Sequence, residues 1–458
     1  MRVLKLACVG RLNSVLCLCR GYSFRPAYRA LTALRKLYPA APILLTTGSI
    51  SPSDLATTVD IMRLNSPVTI RADLNRANLQ FDVELKDANW QRQVLLRVGQ
   101  LVVTLGKGIV WTRTQAQAVE LAEAARGVGV KCGYFHADTP DLDKFDIVKL
   151  FKSGEWSVIF ATSAFGMGMD ISDLRWSLHS SIPQSVEAWW QEAGRVGRDG
   201  NKALCILLYA WSDVESRHAM LSAPADESVT LHIKALQREF ALPSVTVNVT
   251  AERALNKLAT IIESLGVCLR KSLLSEIGQS ITREQCQNTC GYCGRVGSYT
   301  AFDCTEVVKN AIAGVFSLLL SSPRINITIS LLAKVLRGLA VNEQCQAVNV
   351  YNSCKNINTA TVTRVLRLMI GKELLQGRVN TSIPRHPFVL ALGPEAVNAF
   401  ESNYSLIINV LDSSRKEKKS SEVKVPFALP ERVGVPHNDC VLRTLLLDLQ
   451  QLARKLSV

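Results

Sequence analysis

The chain has 458 residues, nearly half of them apolar and a fifth charged, which excludes wholesale disorder and leaves room for about three domains. Fifty-three Lys and Arg against 39 Asp and Glu leave a formal net charge of +14. That excess points either to a polyanionic partner, most often nucleic acid, or to a merely basic protein. No apolar stretch reaches the roughly 18 uncharged residues of a membrane span, so no membrane segment is expected. The 13 cysteines are mostly scattered, and only one group is dense, as expected of a reducing compartment.

Residues 1–53 contain no Asp or Glu. By composition MRVLKLACVGRLNSVLCL reads either as a mitochondrial presequence or as the edge of a domain that starts before this chain. From 108 to 209 the pattern alternates between strand and helix. GIVWT (108–112), VKCGYFH (130–136), WSVIFAT (156–162), LRWSLHSSIP (174–183) and ALCILLYA (203–210) read as strands. AQAVELAEAARGVG (116–129), DLDKFDIVKLFKSG (141–154) and SVEAWWQEAGR read as helices between them. This rhythm predicts an α/β domain, a parallel sheet with helices on both faces and its ligands at the carboxyl ends of the strands.

From about 214 to 293 the pattern is mainly helical and ends in cysteines. Between 303 and 403, TEVVKNAIAGVFSLLL, ITISLLAKVLRGLA and TATVTRVLRLMIGKELL read as helices. LQGRV and FVLALG, separated by NTSIPRHP, read as a hairpin, which together predicts a winged helix. DSSRKEKKSSEVK (412–424) reads as a linker and residues 440–458 as an amphipathic helix.

Three groups of residues carry chemistry. ATSAFGMGMD (161–170) follows a strand, and its glycines allow backbone to approach a phosphate or a nucleic-acid strand; Asp170 is placed to accept from a ribose hydroxyl. QEAGRVGRDG (191–200) sets Arg195 and Arg198 three apart among glycines. Guanidinium forks suit the charge that builds on a transferring phosphoryl group, and surface pairing with carboxylates is the alternative. Cys268, Cys286, Cys290 and Cys293 have the spacing C-x17-C-x3-C-x2-C, which suits a closed tetrahedral zinc site better than a disulfide. Finally, RGYSFRPAYR (20–29) interleaves Tyr22, Phe24 and Tyr28 with Arg20, Arg25 and Arg29, either a base-stacking, phosphate-binding loop or a packed aromatic cluster.

In these residues the chain resembles the RecQ family of superfamily 2 DNA helicases. ATSAFGMGMDISDLR resembles that family's motif V, and SIPQSVEAWWQEAGRVGRDG its motif VI. GIVWTRTQ and GYFHAD are similar to motif IV and the His-containing motif after it. GYSFRPAYRALTALRKLYP resembles the aromatic-rich loop and its helix, with Arg20 where the family has tryptophan, and ILLTTGSIS sits where motif III falls. The cysteine group, opening on CLRK, and the winged helix follow in the family's order, so that the likeness covers roughly residues 17–405.

The resemblance implies a remnant of a first RecA-like lobe (1–70), a second RecA-like lobe (71–213), a helical zinc-binding subdomain (214–297) and a winged helix (298–405), followed by linker and terminal helix (406–458). It implies 3′-to-5′ unwinding of DNA driven by ATP with Mg²⁺, in recombination and repair. Arg198 would be the arginine finger, Arg195 would bind the γ-phosphate or transmit its loss, and Gln191 would couple. Gly166, Gly168 and Asp170 would form the nucleotide- and DNA-facing turn. DNA contacts would come from the aromatic loop, Thr112 and Arg113. His136 would touch DNA or hold its loop, and Arg378, Arg385 and His386 would contact duplex or form a solvated tip.

The sequence contains no GxxxxGK[ST]: the GK pairs at 106–107 and 371–372 lack the surrounding residues. RLNSVLCLC, before the aromatic loop, has no carboxylate where an acidic box is expected. The expectation is a chain that begins as the first lobe is ending, inactive alone, either in nature or because a longer protein is only partly represented. A non-catalytic DNA-binding adaptor is the alternative. The nucleus is the expected location, with the mitochondrion open.

Overall fold

The computed structural model describes residues 47–165, 171–222, 247–295, 299–322, 325–380, 388–402 and 404–411, with residues 39, 43 and 45. The aromatic loop (20–29), Gly166, Gly168 and Asp170, the tip with Arg385 and His386, the linker and the terminal segment lie outside the described residues.

The centre is a six-stranded, wholly parallel sheet. Its strands are β1 (Leu79–Leu85), β2 (Gly108–Trp111), β3 (Cys132–Phe135), β4 (Val158–Ala161), β5 (Trp176–His179) and β6 (Ala203–Tyr209), in the order β1-β6-β5-β2-β4-β3. Every residue of β2, β4, β5 and β6 is buried, which explains their unbroken apolar sequences: a sheet covered on both faces has no wet side to alternate with.

Side chains still alternate between two cores. Val110, Val158, Phe160, Leu204 and Ile206 face helices α2 (Trp90–Leu105) and α3 (Gln115–Gly127), which contribute Val94, Val98 and Leu121. Ile109, Trp111, Ile159 and Leu207 face α4 (Asp141–Ser153) and α5 (Val186–Ala193). This second core runs on without a break into the cysteine subdomain and the winged helix. The described residues thus form the predicted parallel-sheet helicase lobe with a cysteine cluster and a winged helix behind it.

The sequence rhythm, read from 108 onward, omits β1 and α2. Yet LQFDVEL alternates strictly, and β1 pairs with β6 along all seven residues from Leu79↔Ala203 to Leu85↔Tyr209. A short helix α1 (Pro52–Ile61), capped by Ser51, precedes the lobe. After the sheet come α6 (Trp211–Ser222), α7 (Val247–Glu263), α8 (Leu269–Glu276) and the single turn α9 (Arg283–Cys286).

The winged helix comprises β7 (Tyr299–Asp303), α10 (Thr305–Ser321), α11 (Ile329–Leu336), α12 (Glu343–Gln346), α13 (Thr359–Gly371) and the hairpin β8 (Leu375–Val379) and β9 (Phe388–Leu392). After α14 (Ala396–Glu401), β10 (Ile407–Leu411) returns to pair antiparallel with β7. Strand β10, past residue 405, supplies the only partner of β7 among the described residues. No helix of the described residues is long and apolar enough to cross a membrane.

Candidate functional site

The arginine loop leaves the carboxyl end of α5, whose Ser185 caps it by accepting from Ala188 N. Trp189 and Trp190 anchor this helix on β1: Phe81 stacks on Trp190 at 5.2 Å and meets Trp189 edge-on at 5.6 Å. Beyond Gly194 the chain cannot continue as helix, because Gly197 turns with φ +58°, and a Cβ there would lie 2.7 Å from Asn201 O and from Asn78 Nδ2. Only glycine fits both the left-handed backbone and that space.

Two side chains just before β1 hold the loop. Arg76 donates from Nη1 to Gly194 O (2.7 Å) and from Nη2 to Val196 O (3.0 Å) and Gly197 O. Asn78 Nδ2 donates to Gly197 O (2.9 Å) and Asn201 O (2.8 Å). Gly197 N–H in turn reaches Leu174 O at 2.8 Å. Arg175 forks onto Asp199, with Nη1–Oδ1 at 3.0 Å and Nη2 on Oδ2, and those hydrogen bonds hold the Asp199 carboxyl down at about 2. Arg195 is half-buried with its guanidinium 6.0 Å from the Trp111 ring, and Arg198 is exposed. Gln191 reaches back, Nε2 to Ser49 Oγ at 3.2 Å, so the TTGSIS stretch and motif VI meet.

Beside the loop a polar cavity opens at the carboxyl ends of β2 and β5, lined by Trp111, Arg113, His179, Ser181, Glu192 and Arg217 among others. His179 Nε2 lies 3.2 Å from Glu192 Oε2. Burial pulls Arg217 down to about 10, with Glu192 opposing, so it stays cationic at neutral pH. Thr112 lines this cavity too, but its hydroxyl donates to Thr114 O at 3.1 Å. The His136 ring stacks on Tyr134 at 5.5 Å, and its backbone N–H donates to Thr139 Oγ1 at 3.1 Å. Arg378 stands exposed on β8, bonded to Gln376 Oε1 at 2.9 Å.

The four cysteines converge. Their sulfurs lie within 4.8 Å of one another and all four residues are buried, with Cys268 Sγ to Cys290 Sγ at 3.9 Å. A tetrahedron with metal–sulfur bonds of about 2.3 Å has sulfur–sulfur edges of roughly 3.8 Å, so the donor set fits a metal such as zinc. Backbone N–H groups point at the sulfurs, Lys271 N to Cys268 (3.4 Å) and Cys293 N to Cys290 (3.4 Å), as suits thiolate ligands. Thiol donation from Cys268 holds the Cys290 thiol well below its usual value, while burial pushes Cys293 up to about 11. Two consecutive left-handed residues, Gln287 and Asn288, tighten the turn that brings Cys290 round.

This knuckle docks on the sheet: Gly291 N–H reaches Phe81 O at 2.8 Å, and a Cβ on Gly291 would sit 1.8 Å from Asp82 Oδ1. Arg270, fully buried, ties the two together. It donates to Asn75 Oδ1 (3.2 Å), Arg76 O (2.8 Å), Leu79 O and Thr289 Oγ1 (2.9 Å), and lies 5.7 Å from the Phe81 ring. Sequence reasoning singled out the loop arginines and the thiols but missed Arg76, Asn78, His179, Glu192 and Arg217. The CLRK stretch was the one trace of Arg270.

The arginine loop, braced at the amino ends of β1, β5 and β6, sits on a parallel lobe followed by a cysteine knuckle and a winged helix, the order of parts found in the C-terminal half of helicases. Residues 93–200 match the helicase conserved C-terminal domain and residues 298–417 the RQC domain. With these two domains the chain is similar to RecQ-family helicases. It is 26% identical to the ATP-dependent helicase SGS1 of Saccharomyces cerevisiae over 78% of this chain and 24% of that protein. It is 28% identical to the ATP-dependent DNA helicase hus2/rqh1 of Schizosaccharomyces pombe over 64% of this chain and 21% of that protein. With the RecQ-like DNA helicase blm-1 of Caenorhabditis elegans, identity is 24% over 93% of this chain and 44% of that protein. The chain thus spans less than half the length of these curated relatives.

Proposed function

We propose that this chain supplies the second RecA-like lobe, the zinc subdomain and the winged helix of a nuclear DNA helicase that moves 3′ to 5′ on ATP hydrolysis in recombination and repair. The observation that carries this is the arginine loop, fixed by bonds from Arg76 and Asn78 at one side of a parallel sheet. Arg198, exposed, is the finger. Arg195 reads the γ-phosphate, and Gln191, through Ser49, links that reading to the remnant of the first lobe. A single such finger contributes about 10³–10⁵ in rate to phosphoryl transfer.

Zinc held by Cys268, Cys286, Cys290 and Cys293 has no open position and supplies structure, with about 10–16 kcal/mol available to order the subdomain. Arg113 and Arg217 at the cavity and Arg378 on the hairpin present cations to DNA phosphates. Thr112 keeps a positioning part only, since its hydroxyl is engaged with backbone.

Without a P-loop sequence the chain alone hydrolyses ATP only at background, yet binds DNA. A DNA-stimulated ATPase assay and salt-titrated DNA binding check both halves. Binding falling by about 0.9 log units per log unit of salt for each phosphate neutralised is expected. Turnover that Arg198→Ala abolishes would overturn the view that this chain lacks the nucleotide holder. Salt-dependent DNA binding without turnover also fits an adaptor. Addition of a separate P-loop-bearing first lobe decides between the two readings: Arg198-dependent turnover restored in trans marks the helicase.

A further inference from the structure

The segment between α1 and β1 is gripped from two sides. On one side the cysteine subdomain holds it at successive positions. Arg71 Nη1 donates to Gly278 O (3.3 Å), Gln279 Oε1 accepts from Leu74 N (2.6 Å), and Gln279 also bonds Asp73. Arg270 holds Asn75 Oδ1 and Arg76 O. On the other side the same segment, through the side chains of Arg76 and Asn78, holds four carbonyls of the arginine loop, at 194, 196, 197 and 201. Arg270 is therefore the step between the two: its backbone follows Cys268 by two residues, and its fork fixes the backbone of the residue whose own fork fixes the loop.

A second contact runs in parallel. The Arg270 guanidinium lies against Phe81, whose other neighbours are Trp189 and Trp190 of the helix that carries Gln191 and leads into the loop. No shorter side chain serves this place. Four oxygen acceptors at the rim of one buried site need the planar, multi-donor guanidinium, and an ammonium on a flexible stem reaches fewer of them.

We infer that Arg270 makes the position of the arginine loop depend on the metal-loaded cysteine cluster, with residues 71–78 as the strap between them. Arg270 and Arg76 are positioning residues; neither touches nucleotide. Metal loss releases the turn that presents Arg270, the strap slackens at Asn75 and Arg76, and the loop carbonyls lose their donors. This rests on the metal reading of the cysteines and on motif VI as the working loop, and it adds the mechanical path that joins them.

The test uses the full chain and backbone amide exchange. The amides of Gly194, Gly197 and Gly200 are all hydrogen-bonded, to Trp190 O, Leu174 O and Gly197 O, so they report on the loop directly. Zinc content per chain is measured first; a chain purified without stoichiometric metal, and unable to take it up, sinks the cluster reading itself. In Arg270→Lys, zinc is expected to remain at one per chain and exchange in β2 and β4 to stay slow, while the loop amides exchange about tenfold faster.

Chelation of the wild-type chain should give the same acceleration, and chelation of Arg270→Lys should add little more in the loop, because the path is already cut. Arg76→Lys provides the second cut: zinc and Arg270 stay in place, and the loop alone loosens. Unchanged loop exchange in either zinc-loaded variant overturns the proposal. So does chelation that speeds the loop equally in wild type and Arg270→Lys, since metal would then act by another route. If Arg270→Lys fails to hold zinc, Arg76→Lys decides: a quiet loop there refutes the strap, a loosened one upholds it.

Discussion

Gly197 and Asp199 show how narrowly the arginine loop is specified. At Gly197 an alanine meets both a left-handed backbone and oxygen and nitrogen atoms at 2.7 Å. Gly197→Ala is expected to cost about 1–3 kcal/mol, read as a lowered urea midpoint, with the loss confined to the sheet lobe. An unchanged midpoint would mean that the loop has room to move.

Asp199 gives the loop a pH dependence of its own. Its carboxyl is depressed to about 2 by Arg175, so it contributes stability that is fully present above the unfolded carboxylate value of about 3.9 and is lost as pH falls toward 2. The side chain is exposed enough for water to screen the pair, so the effect is local. A carboxyl-carbon titration by NMR should show the depressed value in wild type and a higher one in Arg175→Gln, where only the Asn201 bonds still hold it down. The loop arginines were legible in sequence because glycines bracket them at short range. Arg76 was not: a lone arginine in ADLNRANLQ looks like any surface cation until the fold brings residues 194–197 against it.

At the level of elements, the wing is seated, not free. Phe388 opens β9 and packs on Trp211 (6.4 Å) and His218 (5.2 Å) of α6, while Arg367 of α13 lies over Trp211 and pairs with Glu263. Glu263 also accepts from Tyr209 at the end of β6, so sheet, α7 and winged helix share one buried polar knot. Phe388→Ala removes a ring that is 7% exposed, and about 3 kcal/mol should be lost at this seam. Faster amide exchange in β8 and β9 with β2 unaffected is the expected pattern; uniform acceleration would mean that the seam does not unfold as its own unit.

The strands and helices from 108 to 209 were readable because unbroken apolar runs between helices have few other meanings. Strand β1 was equally readable by its alternation, but it stands apart from the sheet's other strands, with a helix and a loop between. β10 left almost no trace: its partner β7 lies about a hundred positions away, and pairing over that span is decided by closure of the domain, not by local preference.

Across the whole molecule, one apolar core joins lobe, cysteine subdomain and winged helix, so these parts are one body with several surfaces. The cysteine turn covers the outer flank of β1 through Phe81 and Gly291. A border strand with open N–H and C=O groups is a template for foreign strands, and natural sheets hide such borders with charge, bulges or a cover. Here that cover is a turn drawn tight around four clustered cysteines. If a metal holds this cover, chelator addition should raise light scattering within minutes; an unchanged signal would mean that the border stays covered without it. Oxidation of the thiols should loosen the same cover, so the guarding of this sheet border would hang on the state of four sulfurs.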